Sequence, residues 1–364
     1  MNPQPNLPET RVLEATQQTW GLALQPAGCP RCHQAYLVPG NQIGQACPGC
    51  GQARLEPQPV ILRNEPPELL VPFKQGQSAL AGLFKRFTQG VWLHSDDFTP
   101  QHLLQRARPI YWPMWLVDGD LSGDWQAEVG YDYQVKSSQE SYDSGNWRTR
   151  ELIETRIRWE KRLGQMRRHY NNAAAPALNE HAALASALGA YELKTQPYTP
   201  QMVGAALLRV PDLNPENAWP LAQSALHECA ADECRQAAGA QHVRAFSIHA
   251  SYEALNWTQL LLPMYASFYT DDNGRPQMVL VNGQNGQVCG RRLASQRKGW
   301  QLAMILAAVA AVLFLIGLGG TLLGAVMPPL VVVGTIFILL AIALGLFAIV
   351  PAVWPWQWNR KQRG

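Results

Sequence analysis

No Asp, Glu, Lys, Arg or His occurs from Gly299 to Asn359, an absence that an ordinary soluble protein does not show. Motifs of several enzyme classes are missing as well. There is no phosphate-binding loop GxxxxGK[ST], no GxSxG, no HExxH and no dinucleotide fingerprint. Their absence removes the sequence case for a helicase and for the corresponding hydrolases and dehydrogenases, so no enzyme is expected. The start, MNPQPNLPETRVLEATQQTW, has neither a basic n-region nor an apolar h-region, and no secretory signal is expected. A net charge of +3 with no block of like charge does not single out nucleic acid as a partner.

What fills the uncharged stretch is apolar. Residues 302–325 and 330–350 are each long enough to cross a hydrocarbon core of about 30 Å as a helix. Val326-Met327-Pro328-Pro329 lies between them. Pro329 lacks an N–H and Pro328 is disfavoured in helical geometry by the proline after it, so the helix is expected to stop there and turn back. The result is a two-helix transmembrane hairpin over 299–359. Arg291, Arg292, Arg297 and Lys298 precede it, and Arg360, Lys361 and Arg363 in the basic tail 360–364 follow it. Basic flanks stay on the cytoplasmic side, which puts both termini in the cytoplasm. Trp300 at one end and Trp354, Trp356 and Trp358 at the other suit one interfacial aromatic belt. The competing reading, a buried hairpin of a soluble core, is disfavoured by the flanking cations. Gly317, Gly319, Gly320 and Gly324 are positions where another helix can approach closely, so homo- or hetero-oligomers through the hairpin are a further expectation.

Of seven cysteines, Cys29, Cys32, Cys47 and Cys50 form two CxxC knuckles, CPRC and CPGC. Two knuckles supply four thiolates to one tetrahedral ion, which predicts a Zn2+ ribbon over 25–56. Four protein ligands leave no open position, so the site is read as structural. Two disulfides are the alternative, disfavoured in a chain without a signal peptide. His33 is the competing ligand. Only Arg31 and Arg54 flank the ribbon, too few for phosphate binding to be expected. An N-terminal extension, 1–24, precedes the ribbon, and a Pro-rich linker, 57–68, follows it.

Residues 69–298 alternate helix and strand signals and predict a cytoplasmic α+β domain. Ser78–Phe87 has helical apolar spacing. Asn214-Pro215-Glu216 starts a helix expected to reach about Ala238 and stop near Gly239. Thr155, Ile157 and Trp159 alternate with Arg156, Arg158 and Glu160 as in a half-buried strand. Tyr265–Thr270 and Gln277–Asn282 flank the turn Asp271-Asp272-Asn273-Gly274. Tyr111-Trp112-Pro113-Met114-Trp115, leading into an acidic turn, is echoed by Leu261-Leu262-Pro263-Met264-Tyr265, which raises the reading of two similar halves. Asp118, Asp120 and Asp124 lack metal-ligand spacing and are expected to be solvent-facing. Cys229 and Cys234, near His227, are five apart and do not share a helix face. The span Arg148–His169 is a basic patch, read first as a solvated face and alternatively as a surface for anionic lipid, an acidic partner or nucleic acid.

The stretches Val71–Phe73 (VPF), Tyr111–Trp115 (YWPMW), Arg158–Glu160 (RWE), Tyr198–Gly204 (YTPQMVG), Leu261–Tyr265 (LLPMY) and Val281–Gly290 (VNGQNGQVCG) carry a resemblance. With the ribbon and the terminal apolar segment, the chain resembles bacterial zinc-ribbon membrane proteins of phage-shock-like, SPFH-associated envelope-stress systems, often mislabelled as primosomal helicases. It departs from the family's NGQTGK-like pattern at Asn285 and Gln287. The resemblance implies a non-catalytic, membrane-anchored scaffold that holds PspA-like or SPFH-like coating proteins at the bacterial inner membrane. A membrane-tethered nucleic-acid-binding ribbon protein is the alternative. Gly283 and Gly286 are expected to supply positive φ in a tight turn rather than ligand contacts.

Overall fold

The structure is a computed structural model that describes residues 20–21, 24–58, 65–143, 145–323 and 327–362. Most of the expected N-terminal extension, linker residues 59–64, Gly324 and Val326 of the hairpin, and Arg363 of the basic tail lie outside the described residues.

The elements follow in chain order: β1 (Leu24–Gly28), β2 (Ala35–Pro39), β3 (Glu56–Pro57), β4 (Leu69–Leu70), α1 (Gln77–Thr88), α2 (Pro100–Arg106), β5 (Arg108–Asp143) and β6 (Asn146–Pro176). Then come α3 (His181–Leu188), β7 (Gln196–Pro197), α4 (Pro200–Val203), β8 (Leu207–Arg209), α5 (Pro215–Ala237), β9 (His242–Thr270), β10 (Pro276–Asn282), β11 (Val288–Gly290), α6 (Gln296–Leu323) and α7 (Pro329–Lys361). The architecture is mixed α+β, as the sequence predicts. The chain forms two compact units. One comprises Met1–Trp112, Ala182–Val210 and Leu261–Gly364, and the other Pro113–His181 and Pro211–Leu260.

The first unit is organised by a sheet in the order β11-β10-β9-β5-β8-β2-β1-β3. β10 pairs antiparallel with β9 from Pro276↔Thr270 to Asn282↔Met264. The turn between them is the expected one. Asp271 Oδ1 accepts the N–H groups of Asn273 and Arg275, both at 2.9 Å, and Gly274 takes φ +73°. One core cluster gathers Leu37, Leu70, Tyr111, Leu208 and Leu261. Another gathers Leu80 and Phe84, four apart on α1, with Phe98, Tyr269, Val279 and Val281. The residues of the VNGQNGQ stretch act as a clasp. The Gln284 amide accepts from the Glu192 N–H at 2.7 Å and donates to the Glu192 carbonyl at 2.7 Å, as a neighbouring strand would. Asn282 donates to the Leu188 carbonyl and Asn285 to that of Ala190. Gly286 has the expected positive φ of +77°. Gly283 does not: its requirement is space, because a Cβ there would lie 2.7 Å from the Phe73 ring and 2.9 Å from Pro263.

The hairpin belongs to this unit. α6 and α7 run antiparallel, with Gly317 against Gly334 and Ile338, and Gly299 against Pro351 and Pro355. Gly317 and Gly320 are therefore spent on contact inside the hairpin, whereas Gly319 faces open space. The apolar run expected to end at Val350 is only part of α7, which continues through Pro351 and Pro355 to Lys361. Both prolines are buried, and the helix end is held from outside. Trp358 donates its indole N–H to the Arg292 carbonyl at 2.6 Å, and the Asn359 amide exchanges two hydrogen bonds with the Ala294 backbone. The expected aromatic belt is thus divided. Trp354 and Trp358 stack at 5.2 Å and pack on the Phe98–Tyr269 cluster, while Trp300 and Trp356 stay exposed.

In the second unit the sequence expects an acidic turn after Trp115, yet Asp118, Asp120 and Asp124 lie within β5. Their pairing with β6 carries a register shift between Val117 and Gly119. β6 pairs antiparallel with β5 from Met114↔Pro176 to Asp143↔Asn146. β9 flanks the other side of β5, shown by Ser122–Ser251 at 2.8 Å, Glu128–Arg244 at 2.6 Å and Asp132–His242 at 2.8 Å. α5 covers one face with Ala218, Ala222, Leu226, Ala230 and Cys234, spaced by four. These small residues bring the helix close to Trp115, Val117 and Leu121. Asn214 caps it by accepting the Asn217 N–H at 3.0 Å, and Gly239 with φ +62° follows its end. The half-buried strand expected at residues 155–160 is a strand, but it is largely exposed: Ile157 is 40% accessible. Neither α5, which ends at Ala237, nor β9, which begins at His242, extends past the Tyr131–Asp132 level. The β5–β6 hairpin beyond them is an arm roughly 35 Å long at about 3.4 Å per residue.

Gly334→Leu is expected to force α6 and α7 apart and cost about 1–3 kcal/mol, seen as a lower thermal transition of the detergent-solubilised protein, whereas Gly319→Leu leaves it unchanged.

Candidate metal centre

Each knuckle is a tight turn started by cysteine and proline. The His33 N–H donates to the Cys29 carbonyl at 2.9 Å, and the Gly51 N–H to the Cys47 carbonyl at 2.8 Å. The residue after each CxxC adopts the left-handed region, His33 at φ +58° and Gly51 at φ +64°. Proline at the second position has no N–H to orient, and its fixed φ leaves the next two amides free to face the first sulfur. Accordingly the Arg31 and Cys32 amides address the Cys29 sulfur, and those of Gly49 and Cys50 address Cys47.

The four sulfurs converge. Cys29 Sγ lies 3.7 Å from Cys50 Sγ, Cys32 Sγ lies 3.6 Å from Cys47 Sγ, and all four fall within 4.8 Å of one another. Four thiolates placed tetrahedrally about 2.3 Å from one ion would sit about 3.8 Å apart, so the cluster has the dimensions of a four-thiolate metal site. All four are free thiols. Cys29 and Cys47 are buried and Cys32 and Cys50 half-buried. Burial pushes the Cys32 thiol up to about 11, and raises Cys47 further, where the Cys32 and Cys50 sulfurs add to the effect. At Cys29 burial acts in the same upward direction, but the Cys32 and Arg31 amides outweigh it and hold the thiol below its ordinary value. Crowded sulfurs resist carrying four negative charges without a cation between them, which is the electrostatic condition a metal relieves.

The exposed His33 is not among the converging ligands. Among the described residues the four cysteines form the one His/Cys/Asp/Glu cluster with this ligand geometry. Asp118 instead accepts the Asn172 N–H at 2.6 Å, and Asp120 pairs with His169 at 2.7 Å, which draws the imidazole pKa upward. Cys229 is exposed whereas Cys234 is buried, so the two do not share a face of α5, as their spacing predicts.

What the knuckles rest on is not legible in the sequence. β1 and β2 pair with each other and β2 pairs with β8 through Tyr36↔Arg209 and Leu37↔Leu208, which joins the ribbon to the main sheet. The buried Arg209 donates to the Ala35 carbonyl at 3.0 Å and lies over the Tyr36 ring at 5.4 Å. The second knuckle is seated on β9 and β10, where a Cβ on Gly51 would be 3.0 Å from Pro276 and 3.1 Å from Phe268. Three-residue β8 offered no periodicity by which to foresee this pairing.

Cys47→Ser is expected to remove most of about one bound metal ion per chain, measured by elemental analysis of the purified protein, while Cys229→Ser retains it. Because β2 is shared with the main sheet, Cys47→Ser also lowers the thermal transition of the first unit. No family model, no curated protein and no solved structure matches this chain.

Proposed function

We propose that this protein is a membrane-anchored adaptor of the bacterial inner membrane, with two spans, a structural Zn2+ ribbon and a docking arm for membrane-coating proteins of the PspA-like or SPFH-like type. The observation that carries the reading is the state of α6 and α7. Both are long and apolar enough to cross a membrane, and only 17% and 11% of their most apolar stretches are buried. A core helix of a soluble protein would be covered, whereas these present Leu315, Leu322, Val332, Leu339 and Phe347 outward. Lipid is the medium that removes such a surface from water. With basic residues before α6 and at the end of α7, the charge rule puts both termini in the cytoplasm. Four sulfur donors in tetrahedral spacing favour zinc, and a closed ligand set gives it a structural role.

The arm supports the adaptor part of the reading. A two-stranded ribbon is marginal in water by itself. This one leaves Tyr142 62% and Trp147 70% exposed, with Ile153 on the same face. Large exposed aromatic and aliphatic side chains beside unpaired strand edges mark interaction surfaces. Register puts Arg148, Arg150, Arg156 and Arg158 together on the opposite face. Arg156 pairs with Glu154 and Arg158 with Glu160, both at 3.0 Å, which lowers the charge available to a polyanion. That pairing favours a protein partner over nucleic acid.

Two outcomes test this. Carbonate washing of membrane vesicles leaves the chain in the pellet, and protease outside spheroplasts spares its cysteine-bearing end; release or digestion would refute the anchor. Affinity purification from solubilised membranes brings down coating proteins, and Trp147→Ala with Tyr142→Ala reduces their yield severalfold; an unchanged yield would refute the docking arm.

A further inference from the structure

The geometry points to a phospholipid-headgroup site within the first unit, between the β9–β10 turn, the start of α6 and the end of α7, an inference that rests on the membrane reading above. A cavity of about 410 Å³ lies there, within the size range of small-ligand pockets. Arg275, Arg291 and Arg297 line it, together with Asp271, Asp272 and Asn359. The uncharged stretch of the hairpin runs from Gly299 to Asn359, so the lining residues Arg297 and Asn359 mark where apolar helix surface gives way to charge. In a bilayer that level is occupied by headgroups.

The charges are not equivalent. Both carboxylates are committed to the protein. Asp271 accepts the Asn273 and Arg275 amides and the Gln277 side chain, and Asp272 accepts the Arg297 N–H at 3.0 Å. The three guanidinium groups have no ion pair among the described residues. Their neighbours do: Arg292 donates to the Gln89 carbonyl and lies over Phe87, and Lys298 pairs with Asp96 at 2.5 Å. The backbone that carries Arg291 is also fixed. Tyr269 donates to its carbonyl at 2.8 Å and receives the Leu293 N–H at 3.0 Å, while Asn359 holds Ala294. Unpaired guanidinium forks on a held backbone, at headgroup depth, are suited to the phosphodiester of an anionic phospholipid. The same forks can bind a free phosphate, so the test separates the two sources.

Full-length protein in detergent micelles is mixed with phosphatidylglycerol, and bound lipid is counted by native mass spectrometry. The Arg275→Gln, Arg291→Gln, Arg297→Gln variant is expected to weaken binding about a hundredfold, or roughly fivefold per arginine. Arg291→Gln alone, expected to lose about fivefold, keeps the test open if the triple variant misfolds. Arg360→Gln with Lys361→Gln removes nearby charge that does not line the cavity and leaves binding unchanged. Undiminished binding in the arginine variants overturns the site, as does an equal loss in the Arg360/Lys361 control. Displacement of the lipid by equimolar inorganic phosphate would assign the site to a soluble anion and overturn the lipid assignment. Release by carbonate washing would refute the membrane reading itself, whereas a retained chain that binds no phosphatidylglycerol refutes this site alone.

Discussion

The outward faces of α6 and α7 impose the constraint on which the rest of the molecule depends: long apolar helices whose buried side is a stripe of small residues, Gly299, Ala303, Ala310 and Gly317 on α6 and Gly334, Ala341 and Ala348 on α7. Close contact at Gly317 and Gly334 covers only the facing sides, and the remaining apolar side chains stay exposed on helices long enough to cross a membrane. The base of the hairpin is tied to the sheet of its own unit. Trp354 and Trp358 enter its aromatic cluster, and Asn359 completes the backbone pairing of Ala294. Two tryptophans that would otherwise mark an interface have become part of a protein core, which couples the orientation of the hairpin to the sheet behind it.

The same economy appears at the metal centre and at the VNGQNGQ stretch. Neither is an appendage. The cysteine knuckles close a sheet edge whose next strand is β8, and the Gln284 amide stands in for a strand beside Glu192. In both places a few polar or thiol groups organise chain segments that are too short to generate secondary structure of their own, the role that metals and side-chain amides serve where a hydrophobic core is thin.

The second unit uses its strands differently. Close to α5 the sheet is buried by alanines spaced four apart; past Asp132 it continues as an uncovered ribbon with Tyr142, Trp147 and Ile153 on one face and the arginines, beside Tyr133, on the other. A protein that keeps such a ribbon in water without cover forgoes stability. The adaptor function proposed above gives that exposure a physical use.

Sequence alone determined the features that depend on local chemistry. The uncharged run, the CxxC pairs, the Asn214 cap, the Asp271–Gly274 turn and the α1 periodicity all declare themselves because capping, turn formation, thiol spacing and hydropathy act over a few neighbouring residues. Tertiary structure decided what depends on long-range contact. It made strands of Asp118–Asp124 where acidic residues suggested a turn, because β6 and β9 supply hydrogen bonds on both sides. It assigned Gly283 to a close approach by Phe73 rather than to a positive φ, and carried α7 through Pro351 and Pro355 because Gly299 leaves room for them. It also joined the ribbon to β8 across more than 150 residues of sequence, a pairing that no local pattern encodes because a three-residue strand has no period to read.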